Sequence, residues 1–156
     1  MIVESQIVNV QPDQWLTTAE EYRNTGLSSL DWLTAVDRST QLEVLAHLVV
    51  PGTGTEVLVR TQIPSASPHL ASLVSVFPGA DWHERETSEM FGIEFTGRPS
   101  TEPLLLRSNP ERPPMRRTTP LPERMETRWP GATEEREGRR RRLAPGVREE
   151  WSGDDG

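Results

Sequence analysis

The chain has no cysteine and no lysine, few aromatic residues (6%), and a hydrophobic content of only 33% over 156 residues. The missing cysteine excludes disulfides, thiolate catalysis and any iron–sulfur cluster ligated by cysteines of this chain. No apolar run approaches the roughly 18 residues of a membrane-spanning helix, and the N-terminus lacks a basic-then-apolar leader pattern, so the chain is expected to be soluble or peripheral to a membrane. With lysine absent, all 17 basic side chains other than histidine are arginine, which favours bidentate pairing with carboxylates. Charge is uneven. Residues 1–100 carry 5 arginines against 13 acids, and residues 101–156 carry 12 against 11. An acidic body argues against nucleic acid as the main partner.

What is present reads as one domain and an extension. Ile2–Val10 reads as a short strand. Asp13–Asn24 has the apolar spacing of an amphipathic helix through Trp15, Leu16, Ala19 and Tyr22, closed by Gly26. Leu30–Asp37 and Val57–Arg60 alternate with period two, and Leu42–Val50 is nearly all apolar with Glu43 and His47 on its minority face. The links Arg38-Ser39-Thr40 and Pro51-Gly52-Thr53-Gly54 have hairpin length and turn residues, which predicts an antiparallel meander. Ser67 as N-cap and Pro68 at the first helical position predict a second helix, with Leu70, Leu73, Val74 and Phe77 as its core stripe.

The most informative stretch is Pro78–Pro99. Asp81 is expected to cap a helix over Trp82–Phe91, with Glu84 completing a capping box and Gly92 closing the far end in the left-handed conformation. At about 100° per residue, Trp82, Glu86, Glu89, Met90 and Ile93 share a face, and Glu84 lies opposite. Carboxylates within an apolar stripe need either water or a partner surface offering donors. Ile93-Glu94-Phe95 reads as a short extended piece.

After Ser100 the composition changes. Recurrent prolines preclude a long helix, and Leu104, Leu105, Leu106, Met115, Leu121 and Trp129 are spaced as apolar anchors on a stiff backbone suited to wrapping a surface. Residues 1–99 are therefore expected to form the folded domain, 100–130 an extended partner-wrapping arm, and 131–156 a charged, disordered tail. The fold class is α+β: an antiparallel sheet of about four strands with packed helices and a long extended proline-rich C-terminal arm.

Catalytic readings are thin. His83, Glu86 and Glu89 recur at helical spacing, but no second histidine completes a metal site, and i, i+4 pairing of Arg85 with Glu89 accounts for the pattern. Glu86 and Glu89 as an acid/base pair have no accompanying nucleophile or phosphate loop, and Gly52-Thr53-Gly54 is no dinucleotide fingerprint. The block Arg139–Arg142 is diluted by Glu134, Glu135 and Glu137 and reads as a solvated tail. Arg107, Arg112, Arg116 and Arg117 are better placed to meet an acidic partner surface.

The run E-R-E-T-S-E-M-F-G-I-E-F-T-G-R-P (84–99) resembles the signature of the C subunit, the 30-kilodalton-type subunit, of respiratory complex I (NADH–quinone oxidoreductase). L-D-W-L-T-A-V-D, I-P-S-A-S-P-H-L-A-S-L-V-S-V-F-P-G-A-D-W and P-M-R-R-T-T-P-L-P-E-R extend the resemblance over residues 27–124. It implies a non-catalytic scaffold in the peripheral arm of a proton-pumping NADH–quinone oxidoreductase, on the cytoplasmic side of the cell membrane. The chain would contact the quinone-site D subunit and the neighbouring B and I subunits of complex I, with FMN, iron–sulfur clusters and quinone all on partner subunits. Trp82, Glu86, Glu89, Met90, Phe91, Arg98, Arg116 and Arg117 are the residues expected to dock them, with none catalytic or metal-binding. Three departures stand out: Gly97-Arg98-Pro99 replaces Gly-His-Pro, Ser100-Thr101-Glu102-Pro103 replaces a basic run, and Met115-Arg116-Arg117 lacks lysine. An equivalent small subunit of a membrane-bound hydrogenase, or of a quinone oxidoreductase using another donor, is the alternative.

Overall fold

A computed structural model describes residues 6–99, 102, 104–106 and 112–121. All lie in the first of two compact units, Met1–Leu121; the second, Pro122–Gly156, falls outside the described residues, as do the expected charged tail and Arg107.

Period-two patterning makes the sheet. Strands β1 (Gln6–Asn9), β2 (Ser29–Asp37), β3 (Gln41–Val50) and β4 (Thr55–Pro64) form one sheet in the order β1-β4-β3-β2. Leu42, Val44, Ala46 and Leu48 of β3 are at most 1% exposed. With Leu33 and Ala35 of β2 and Val57, Val59 and Ile63 of β4 they form one side of the core. Each of the leucine, valine and isoleucine side chains among them contributes about 1.5–3 kcal/mol by leaving water, and each alanine methyl about 0.8 kcal/mol. Helix α1 (Trp15–Asn24) adds Trp15 and Ala19, and helix α2 (Ala80–Phe91), packed along β2, adds Ala80 and Phe91.

The sheet is mixed, which corrects the antiparallel expectation. β2 and β4 both run antiparallel to β3, but β1 pairs with β4 in parallel, Gln6 opposite Val57 through Asn9 opposite Arg60. The cause is the connection. A helix, not a hairpin, joins β1 to β2, and a crossover of that kind returns the chain running in its original direction. The helix is legible in the sequence; which strand β1 would then pair with is not.

The helix expected from Pro68 to Phe77 is absent. His69–Ala71 form strand β5, parallel to β6 (Glu94–Thr96), with Leu70 opposite Phe95. The Ser72 N–H donates to the Thr96 carbonyl and the Glu94 N–H to the Pro68 carbonyl, both at 2.9 Å. Backbone groups that a helix would have used are taken by a partner distant in sequence, and tertiary pairing outweighs local propensity. Leu70, Leu73 and Phe77 are buried as expected, because burial needs only their apolar character.

On the sheet face opposite the core, His47 stacks on Trp32 with ring centroids 5.3 Å apart. Its two ring nitrogens lie 3.1 Å from Asp31 and 3.3 Å from Glu56. At the β2–β3 turn, Ser39 has φ +75°, and its N–H donates to Asp37 Oδ1 at 2.7 Å. A side chain in this left-handed conformation costs about 1–2 kcal/mol, part of which glycine would return as extra unfolded-state entropy. Ser39→Gly is therefore expected to stabilise the fold by about 0.5–1 kcal/mol. A lowered thermal midpoint would show that the serine side chain contributes more than its backbone strain costs.

Candidate functional site

Helix α2 has two faces of opposite character. It starts at Ala80 behind Gly79, and no side chain caps it. Asp81 sits inside the first turn with a buried Oδ1 that has no hydrogen-bond partner, so the expected Asp81 cap and capping box with Glu84 do not form. Glu84 turns inward instead. It is 0% exposed, and its carboxylate accepts the Ser72 hydroxyl and the Leu73 N–H, both at 2.7 Å. Burial pushes this carboxyl above the ordinary carboxylate range, against the two hydrogen bonds and the nearby Arg98 guanidinium. Ala80, Glu84, Thr87 and Phe91, spaced four, three and four, are the buried line of the helix.

The opposite face looks outward. Trp82 is 61% exposed, with the Arg85 guanidinium 5.5 Å from its ring centroid, within cation–π range. Arg85 also donates to the Glu102 carbonyl at 3.1 Å. Glu86 is exposed. Glu89 accepts three successive backbone N–H groups, from Leu104, Leu105 (2.9 Å) and Leu106 (3.1 Å), leaving the Leu105 side chain 54% exposed. Carboxylates in such a nest of N–H groups form strong charge-assisted bonds.

The far end of α2 is closed by glycine, as expected: Gly92 has φ +68°, and its N–H donates to the Ser88 carbonyl at 2.8 Å. Residues 112–119 then fold over it. The Met115 N–H donates to the Met90 carbonyl at 3.0 Å. Arg116 donates to the Phe91 carbonyl at 2.6 Å and to the Ser65 hydroxyl at 2.5 Å. A guanidinium on an orphan carbonyl is a favoured helix C-terminus. The Arg117 N–H donates to Asp37 Oδ2 at 2.9 Å. Burial alone would raise the Asp37 carboxyl, but the N–H groups of Arg117 and Ser39 with the Arg116 and Arg117 charges hold it below the usual range.

The structure therefore distributes the eight expected docking residues. Trp82 and Glu86 are exposed on one face; Met90 and Arg98 are half-buried, and Arg98 keeps a buried Nη1 without a hydrogen-bond partner. Glu89, Arg116 and Arg117 hold the chain's own later segment, and Phe91 is in the core. Ile93, expected beside Trp82, is 1% exposed, because the helix ends before it and the chain turns inward. Leu105 and Met115, two of the expected apolar anchors, are more than half exposed, whereas sequence reasoning missed Glu84 as an internal strut. The signal for Glu84 is its spacing of seven from Phe91, which puts the two on one side of the helix. His83 joins no group of three or more potential metal ligands among the described residues, and no helix among them is long and apolar enough to cross a membrane.

Comparison with known proteins gives one family. The family described as respiratory-chain NADH dehydrogenase, 30 Kd subunit, matches residues 8–125. The NADH-quinone oxidoreductase C subunit of Roseiflexus sp. (strain RS-1) is 32% identical over 120 residues, covering 73% of this chain and 69% of the relative. The C subunit of Herpetosiphon aurantiacus is 34% identical over 107 residues, covering 69% and 63%. Among solved structures, a trypsin-resistant fragment of Nqo5 superposes with TM-score 0.55 at 24% identity, over 60% of this chain and 80% of that one. A component of an archaeal membrane-bound sulfane sulfur reductase superposes with TM-score 0.65 at 23% identity, over 74% and 73%. These two likenesses concern the fold.

Proposed function

The chain belongs to the 30-kilodalton subunit family of respiratory-chain NADH dehydrogenase, and from that premise we propose that it is a non-catalytic scaffold subunit of an NADH–quinone oxidoreductase. The match over residues 8–125 carries this reading. In it the chain is peripheral to the membrane on its cytoplasmic side, packs against the quinone-site D subunit and the B and I subunits beside it, and leaves FMN, iron–sulfur clusters and quinone to partner subunits. The residues support a mechanism of shape. Glu89 and Arg116 fasten the later segment to α2 and leave a surface on which Trp82, Leu105 and Met115 are more than half exposed. Exposed aromatics of this kind are typical anchors at interfaces. The likeness to an archaeal reductase shows the same fold in another respiratory complex, so the fold by itself does not select the electron donor.

Affinity purification of the tagged chain from native membranes in mild detergent tests the reading. The quinone-site subunit and iron–sulfur partners are expected with it; a lone chain would overturn it. Within the assembled complex, Trp82→Ala is expected to reduce recovered partners by about tenfold or more, as loss of an interface anchor of about 2 kcal/mol implies. Glu86→Gln is expected to give a smaller loss. Neither should move the thermal midpoint of the free chain, since both side chains face solvent. Undiminished recovery in both variants would remove this face from the interface.

A further inference from the structure

A second surface lies at the end of α2 away from Trp82. A cleft of about 790 Å³ opens where the β2–β3 turn, the segment after β4, the end of α2 and residues 112–119 meet. Its charged side chains are Arg112 and Arg116, and its hydroxyls include Ser39, Ser65, Thr118 and Thr119; no acidic side chain among the described residues lines it. Asp37, the carboxylate nearby, accepts from the backbone of Ser39 and Arg117 with its two oxygens, so both are already engaged.

We propose that this cleft binds an acidic extended segment of a neighbouring polypeptide in the complex, a carboxylate bridging Arg112 and Arg116. Three observations carry it. Among the described residues the charge balance is positive: Arg112 and Arg116 line the cleft, while Asp37 beside it already has the charges of Arg116 and Arg117 near it. The Arg116 guanidinium is already held by Phe91 and by the Ser65 hydroxyl and carbonyl, which uses three of its five N–H donors and leaves the others for a ligand at little entropic cost. Most of the cleft wall is carbon, with Pro113 and neighbouring residues contributing. A bare inorganic anion would leave such a wall wet, whereas a peptide covers it while its carboxylate meets the arginines. This inference rests on the family reading only for the statement that the segment belongs to another subunit.

The test uses the full chain, isotopically labelled, with three probes: an acetylated hexaglutamate peptide, inorganic phosphate, and phosphatidylglycerol vesicles. The peptide is expected to shift the amides of Ser39, Ser65 and Thr118 saturably, and Arg112→Glu to weaken that binding by about tenfold or more. Arg112 is exposed, so the remaining amides of the variant should keep their positions and report an intact fold. No shifts, or shifts undiminished in the variant, would overturn the site. Equal shifts with phosphate at the same concentration, or stronger association with the vesicles, would overturn the peptide assignment. In the membrane purification, Arg112→Glu is expected to recover less partner than wild type. If wild type recovers its partners but the peptide does not bind, the site fails and the family reading stands; if the peptide binds but no partner is recovered, the reading fails and the site stands.

Discussion

Replacing Glu84 with alanine is expected to destabilise the protein by about 3–5 kcal/mol, a large share of the 5–15 kcal/mol typical of a folded domain. The substitution leaves the Ser72 hydroxyl and the Leu73 N–H without acceptors beneath α2, each costing about 1–3 kcal/mol, and adds a void where the side chain stood. Urea unfolding followed by tryptophan fluorescence measures it, since Trp15 is fully buried. A loss below about 1 kcal/mol would mean that the loop after β5 does not depend on this strut.

The Gln variant separates shape from charge through pH. Folding raises the Glu84 carboxyl above its ordinary 4.5, so over the interval upward from 4.5 the folded protein keeps a proton that the unfolded chain has released. The stability this group contributes is therefore complete below 4.5 and drains away as pH rises through the folded value. Asp37 and Glu43 work the other way. Arg38 at 3.0 Å holds Glu43 below the usual range against its burial, with Gln62 adding a second bond. Their contributions are present above the ordinary 3.8 and 4.5 and are lost on acidification. The disadvantage of Glu84→Gln relative to wild type is thus expected to be largest near about pH 4 and to shrink toward about pH 7. A difference independent of pH would show that Glu84 does not titrate differently in the folded state.

Gly92→Ala is expected to cost about 2–4 kcal/mol and to release residues 112–119 from the end of α2. Two effects add. At φ +68° a Cβ costs about 1–2 kcal/mol. That Cβ would also stand 2.8 Å from Pro113 Cγ, so the segment must move, with the bonds from Met115 to Met90 and from Arg116 to Phe91 at stake. Pro113→Ala removes the obstructing carbon but not the backbone strain. The double variant should therefore recover part of the loss, and the cycle isolates the contact. Trypsin should cut faster after Arg116 and Arg117 in Gly92→Ala, the Arg112–Pro113 bond being resistant to it. Purely additive effects and unchanged cleavage would mean that the segment is not seated on Gly92.

Where the sequence misleads, the misleading feature can be named. Ser67-Pro68 followed by Leu70, Leu73 and Phe77 satisfies every local rule for a helix, yet β6 and Glu84, both later in the chain, claim the backbone groups of Pro68, Ser72 and Leu73. Asp81 and Glu84 fit a capping box, but Glu84 is instead the acceptor for the Ser72 hydroxyl and the Leu73 N–H, two donors that burial would otherwise leave unmatched. The facing of α2 is half legible: Trp82 and Glu86 do share the outer side with Glu84 opposite, while Ile93 leaves that side because Gly92 reverses the chain first. The roles of Glu89 and Arg116 are less legible, because their hydrogen-bond partners are mostly backbone groups, and a backbone N–H or carbonyl has no signature in the sequence.

By itself the sequence determined the family, the four strands of the main sheet, the first helix and the glycine stop of the second, since each rests on periodicity, on backbone freedom at one residue, or on a long distinctive run. Only the tertiary structure decided the polarity of β1, the strand in place of a helix at His69–Ala71, the burial of Glu84 and the fastening of residues 104–106 and 112–119 to α2. Those outcomes depend on which distant hydrogen-bonding group reaches a given donor first, and that competition is settled in three dimensions.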